Sequence, residues 1–231
     1  MEDLERYGDY TEYEDDLPKK RSNPIMLVIK ILIGVICVSV IGIFAFRLFL
    51  FNLYPDSVEN IYFTDNLIAY YNETDGKIGA KTQDLRSPYD DPDFANFFCG
   101  NLIVVDGAGE LQVSVRYNNS ALENIKTKLN LEALNADSEE LFSFRLCDNY
   151  GRYYAPTHIS TDDMLMYHYY KLAFDGIPFN EEGVNYPEWI RLEVFVEGQK
   201  STDPFAMVLV YENHADFSKF EEYTLSGEEH P

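Results

Sequence analysis

Carboxylates are the residues of this chain best suited to chemistry. The stretch SPYDDPD brings Asp90, Asp91 and Asp93 into one short loop, and STDD sets Asp162 beside Asp163. Hard oxygen ligands suit calcium, which makes Asp90, Asp91 and Asp93 candidate metal ligands. Proline–aspartate turn chemistry explains the same loop without a metal. The residues around Asp75-Gly76 miss the EF-hand pattern, because its first position falls on Tyr71. No other cofactor is implied.

A pair of acids flanking a glycosidic bond is a second chemistry open to carboxylates. With 40 acidic residues in the chain, spacing alone singles out no pair. The chain has no G-x-S-x-G, no H-E-x-x-H, no phosphate-binding glycine loop and no C-x-x-C. His158, His168, His214 and His230 form no short-range metal pair and read as ordinary polar histidines. No catalytic residue is assigned. Cys99 and Cys147 lie in apolar, strand-like surroundings and are a candidate disulfide in an exported domain; buried free thiols are the alternative. Asn72-Glu-Thr74 and Asn118-Asn-Ser120 are glycosylation sequons.

Where these residues live depends on one apolar run. Ile31 to Phe46 carries no charge and spans roughly 24 Å as a helix. Extended to Ile25 and Phe51 it reaches roughly 40 Å, enough to cross a ~30 Å hydrocarbon core with tilt. Lys30 and Arg47 lay their stems along the helix and lift their charges to the interface. Phe44, Phe46, Phe49, Phe51 and Tyr54 crowd one end like an interfacial aromatic belt. A signal peptide would have a shorter apolar region and small residues at the cut, and Ile43-Phe44-Ala45 fits that poorly. The run is expected to be a retained membrane helix over residues 25–54. Lys19, Lys20 and Arg21 precede it, whereas Asp56 and Glu59 follow it. The positive-inside rule puts residues 1–24 in the cytoplasm and the rest outside.

The formal net charge is −22. Residues 1–24 hold eight acids against four bases, and Lys30 and Arg47 lie in the anchor, which leaves −20 on residues 56–231. Phosphate backbones repel such a surface, so nucleic acid is excluded as a partner. Basic protein surfaces or cations fit better, although solubility alone also explains the charge. The acidic tail spaces Tyr7, Tyr10 and Tyr13 three apart, which suits docking or phosphorylation or simply a solvated tail.

The outer part reads as mainly β. NIYFTDNLIAYY has helix or strand character, TDGK turns, and Ile78–Gln83 is a weak strand. NFFCGNLIVV and ELQVSVRYN flank the hairpin signal DGAG. Leu111, Val113, Val115 and Tyr117 alternate with Gln112, Ser114 and Arg116, which predicts one face in the core and one in water. Ser120 and Glu123 form a capping box for a helix carrying Leu122, Ile125 and Leu129 on one side. LFSFRLC, RYYAPT and HYYKLAF add strands, and Trp189 to Val196 places Ile190, Leu192, Val194 and Val196 inward. PFAMVLVYE is uniformly apolar and reads as a central strand. The expected architecture is an immunoglobulin-like β-sandwich over residues 55–215 with one short inserted helix, followed by a charged tail over 216–231.

This layout of short charged tail, single anchor and outer sandwich resembles single-pass membrane proteins of Gram-positive bacteria that carry immunoglobulin-like outer domains. FFCGNLIVV, LQVSVRYNNS and KLAFDG are the nearest stretches to motifs. The resemblance implies location and fold class and carries over no site residues. Two functions follow as expectations. The first is a membrane-anchored binding or accessory module that meets another envelope or membrane protein. It predicts aromatic residues on one exposed face, such as an outward Phe195 in the strand that carries Trp189. The alternative is an enzyme acting on envelope polymers through paired carboxylates, which predicts a cleft where two carboxylates converge and one has a raised pKa.

Overall fold

The structure, a computed structural model, describes residues 24–51, 54–85, 97–131, 141–179, 186–213, 216–217 and 219–223. The chain divides into two units at Leu53/Tyr54. The first contains one 28-residue helix, α1 (Pro24–Phe51), long and apolar enough to cross a membrane. It has no polar side, and its large apolar side chains from Ile25 to Phe49 are exposed. A helix hydrophobic all round needs an apolar surrounding.

The second unit is mainly β, built from two antiparallel sheets. One has six strands in the order β10-β1-β2-β3-β7-β6, made of β1 (Ile78–Asp84), β2 (Phe98–Val105), β3 (Glu110–Asn118), β6 (His158–Met164), β7 (Tyr167–Phe174) and β10 (Lys219–Tyr223). The other runs β5-β4-β8-β9, from β4 (Phe142–Asp148), β5 (Tyr153–Tyr154), β8 (Trp189–Val196) and β9 (Ala206–Glu212). The main core joins the two sheets. Leu111, Val113 and Val115 of β3 and Leu172 of β7 meet Phe144 and Leu146 of β4 and Leu192 and Val194 of β8.

The β2–β3 hairpin forms where DGAG predicts it, through a 3-10 turn Asp106–Ala108. Gly109 closes it at φ +63°, and a Cβ there would press on the Ile177 carbonyl at 2.7 Å, so only glycine fits. The inserted helix α4 (Asn119–Leu129) buries Ala121, Leu122 and Ile125. Its cap lies two residues before the expected box: Asn118 Oδ1 accepts from the Ala121 N–H at 2.9 Å.

The segment that follows Tyr54 builds a third layer on the outer face of the six-stranded sheet. It contains α2 (Asp56–Glu59) and α3 (Asp65–Glu73), which settles the ambiguous NIYFTDNLIAYY as helix in its second half. Thr64 caps α3 by accepting from the Leu67 N–H at 3.1 Å. Ile61 and Leu67 pack on Ile78, Ala80, Ile103 and Val105, and Tyr54 and Val58 pack on Tyr169.

That layer corrects the expected wet face of β3. Gln112, Ser114 and Arg116 are as buried as the apolar residues between them. Two further strands differ from expectation. β9 is an edge strand, with Met207 50 % and Leu209 44 % exposed, although its apolar sequence predicts a central one. The stretch expected as a charged tail supplies β10, which pairs antiparallel with β1. Charged edge strands are ordinary, because charge blunts unwanted pairing.

Candidate binding face

The outer face of the β5-β4-β8-β9 sheet gathers aromatic rings and arginines. Alternation along β8 sends Trp189, Arg191, Glu193 and Phe195 away from the core. On β4 the same alternation turns Arg145 and Cys147 outward. The Arg145 guanidinium lies between the rings of Tyr153 and Phe195, 4.3 and 4.8 Å from their centroids, and pairs with Glu193. Arg191 stacks on Trp189 at 4.4 Å. Arg191 has no ion-pair partner among the described residues, which leaves its charge available on an acidic domain. Register then sets Met207 and Leu209 of β9 beside Glu193 and Arg191.

The expected outward Phe195 is therefore outward and half-buried under Arg145. Stacking of this kind holds the arginine fork flat against the sheet, which lowers the ordering cost of any later contact. One end of the face is braced by Asp148. It accepts from the N–H groups of Tyr150 and Arg152, from Arg152 Nε at 2.6 Å and from the Tyr154 hydroxyl at 3.0 Å. Burial alone would raise the Asp148 carboxyl, and these hydrogen bonds outweigh it and hold the pKa low.

A groove of about 340 Å³ lies elsewhere, bordered by Glu59, Asp84, Asn101, Lys219, Glu221 and Tyr223. The Glu221 carboxyl is held low by hydrogen bonds from Lys219 and Tyr223. Among the described residues the carboxyl that burial raises is Glu110, which is sealed under α3 and hydrogen-bonded to Thr64, Asn66 and Gln112. Glu110 does not border the groove. A cleft and a raised carboxyl are both present, in different places.

Glu110 belongs to a buried polar strip on β3 and β7 that sequence reasoning missed. Gln112 pairs with the Tyr62 backbone, accepting from its N–H at 2.9 Å and donating to its carbonyl at 2.6 Å. Lys171 Nζ donates to the Val58 carbonyl at 3.2 Å, and burial pulls its pKa down to about 7. The Arg116 guanidinium sits among the rings of Tyr54, Phe98 and Tyr167. Glu110, Gln112, Lys171 and Arg116 thus each meet a counterpart on the N-terminal layer. The strip fixes where the chain enters the domain.

Of the candidate ligands, Asp90, Asp91 and Asp93 lie outside the described residues. Among the described residues no group of three or more His, Cys, Asp or Glu side chains could hold a metal. Asp162 accepts from the Ser57 hydroxyl and from the Asp163 N–H. Asp163 bonds His168 Nδ1 at 2.7 Å. His158 sits at the other end of the β6–β7 hairpin, stacked on Tyr62 at 3.6 Å. His214 and His230 are outside the described residues, as are Lys19, Lys20 and Arg21. Lys30 and Arg47 lie within α1.

The candidate bridge between Cys99 and Cys147 is not formed, and both are free thiols. Cys99 is in the core between the sheets, and Cys147 is on the outer side of β4, so the backbone of the four-stranded sheet separates them. Burial lifts the Cys99 pKa to about 12. No protein-family model, curated protein or solved structure matches the chain.

Proposed function

We propose that this chain is a membrane-anchored extracytoplasmic binding or accessory module whose docking surface is the outer face of the β5-β4-β8-β9 sheet. Its partner is another membrane or envelope protein. The observation that carries this reading is the composition of that face. Trp189, Arg191, Phe195, Tyr153, Arg145 and Met207 are the residue types enriched in protein interfaces, and here they are adjacent. Residues 1–24 are the cytoplasmic tail and α1 is the retained anchor. The length of α1 and the cations Lys19, Lys20 and Arg21 on one side support that orientation.

The immunoglobulin-like assignment is part of the same proposal. Strands that change sheet between β3 and β4 and between β5 and β6 support it, while the six-plus-four arrangement exceeds the seven- and nine-strand immunoglobulin plans. The alternative, an enzyme cutting envelope polymers, would use the groove beside Glu59, Asp84 and Glu221. It draws less support, because the raised carboxyl lies outside that groove.

Photocrosslinking in cells tests the docking surface. A crosslinking side chain at Leu209 is expected to trap one membrane or envelope protein, and one at exposed Lys77 to trap none. Arg191→Glu should abolish the Leu209 product without lowering the yield of folded protein. Equal, diffuse crosslinking from both positions would sink the reading.

A further inference from the structure

The β6–β7 hairpin ends in a two-residue tip, Leu165–Met166, closed by the pairing of Met164 with Tyr167. Both tip side chains are apolar and exposed, Leu165 at 75 % and Met166 at 45 %. Leu165 has φ +59°. Two-residue hairpins needing a positive φ normally place Gly, Asn or Asp there, because a Cβ strains the backbone. A leucine that is both strained and exposed contributes nothing to the core. Outliers of this kind cluster at active sites, ligand clamps and switch regions, where the strain serves a function.

The tip stands at the end of the domain where the chain comes in. Tyr54, the first residue of the second unit, packs with Val58 and Tyr169, and Met164 and Tyr167 flank that cluster. The Arg116 guanidinium bridges the rings of Tyr54 and Tyr167 at 5.0 and 4.5 Å. From there the chain runs along the sheet away from the tip. Val58 meets Lys171, Tyr62 meets Gln112, which pairs with Ala173, and Thr64 meets Glu110. In sequence only Asn52 and Leu53 separate Tyr54 from Phe51, the last residue of the apolar helix. Three peptide units reach at most ~11 Å. Covalent geometry therefore limits how far Tyr54 can be from Phe51.

We infer that the Leu165–Met166 tip is a second membrane contact, seated in the interfacial layer of the bilayer that holds α1. The inference rests on the reading of α1 as a retained anchor. An exposed apolar pair backed by Tyr54 and Tyr167 matches what the interface accepts, apolar side chains with tyrosines at headgroup level. Two side chains alone bind a membrane weakly. Tethering by the anchor makes the contact intramolecular, so a weak contact suffices. The acids nearest the tip in sequence, Asp162 and Asp163, are engaged by Ser57 and His168.

The test uses the full chain in phosphatidylcholine vesicles with brominated acyl chains. Trp189 is the single native tryptophan and lies on the other sheet, where it supplies the baseline. Leu165→Trp and, separately, Met166→Trp should add emission that the bromines quench several-fold more strongly than Trp189. Quenching no stronger than that of Trp189 in both variants, with the chain resisting an alkaline carbonate wash, overturns the tip contact and leaves the anchor standing. Release by carbonate overturns the anchor and the tip together. Leu165→Gly supplies a second measurement. It relaxes the left-handed backbone, so the denaturation midpoint should hold or rise while the domain's rotational mobility on the vesicle increases. A lowered midpoint with unchanged mobility would assign Leu165 a packing role and overturn the inference.

Discussion

The Arg116 guanidinium lies 5.0 Å from the centroid of the Tyr54 ring, and that ring packs edge-on against Tyr169 at 5.5 Å. A buried cation on a central strand is thus covered by the first residue of the domain. Tyr54→Ala should remove the cover and destabilise the domain by ~3 kcal/mol, from lost burial and a lost cation–π contact. Urea unfolding of the full chain in detergent measures the loss. Hydrogen exchange should show the amides of Val58 and Glu59 losing protection before those of β3.

Gly100 is the complementary half of that contact. A Cβ there would overlap Ser114 Oγ and stand 3.1 Å from the Tyr54 ring. Ser114 Oγ is already held, accepting from the Asn101 N–H at 3.0 Å. Gly100→Ala is expected to displace Tyr54 and cost roughly 1–3 kcal/mol. Combined with Tyr54→Ala it should cost less than the sum of the two, a coupling that a double-mutant cycle reads directly.

Lys171 sets the pH response. Burial lowers its pKa from 10.5 to about 7, against the pull of Glu110. The unfolded chain keeps that proton to about 10.5, so between pH 7 and 10 this lysine is more protonated unfolded than folded. Stability therefore rises with pH from 7 toward 9. The slope flattens near pH 9, where the Cys99 thiol, lifted from 9.0 to about 12 by burial, ionises first in the unfolded chain, and it reverses higher up as Tyr117 and Tyr211, also raised by burial, do the same. Glu110 acts oppositely on the acid side: its carboxyl is raised above 4.5, so its contribution falls as pH climbs from 4.5 to the folded value. The urea midpoint should increase from pH 7.0 to 8.5, and Lys171→Met should flatten that increase. Equal slopes in both proteins would exclude Lys171 as the cause.

The two thiols of the β unit should differ in reactivity. Cys99 is buried with its pKa lifted to about 12, and Cys147 is partly exposed with its pKa raised by burial and by Glu193 and Asp148. Alkylation of the folded chain, resolved peptide by peptide, should modify Cys147 slowly and Cys99 only after denaturant is added. A peptide joining Cys99 to Cys147 would contradict the fold described here.

Much of the sheet structure was legible because period-two alternation is local. Leu111, Val113, Val115 and Tyr117 point into the core as their spacing predicts. Gln112, Ser114 and Arg116 were misread as wet because their cover comes from far along the chain. Tyr62 is 50 residues from Gln112, and Val58 is 113 from Lys171. A signal was present in retrospect: the amphipathic stretch around Leu67, capped by Thr64, needed an apolar seat. The apolar sequence of β9 hid its edge position, because Met207 and Leu209 spend their apolar surface on the outer face instead of the core. On the candidate face, outward Phe195 and Trp189 could be read from alternation. Arg191, two residues from Trp189 on the same strand, could be read the same way; Arg145 could not, since it reaches Phe195 only through the pairing of β4 with β8.

The third layer has a consequence for how the protein is made. Tyr54 to Thr64 is the first part of the second unit to be synthesised, yet its seat is assembled largely from β3 and β7. Ser57 must wait 105 residues for Asp162, and Val58 must wait 113 for Lys171. Until β7 has been synthesised, Tyr54 to Thr64 stays unseated and the polar strip on β3 stays open. Synthesis order and docking order are reversed, so maturation of this domain is gated by a strand about two-thirds of the way along it, and a chain stalled before Lys171 carries an exposed Tyr54 and Val58 for quality control to find.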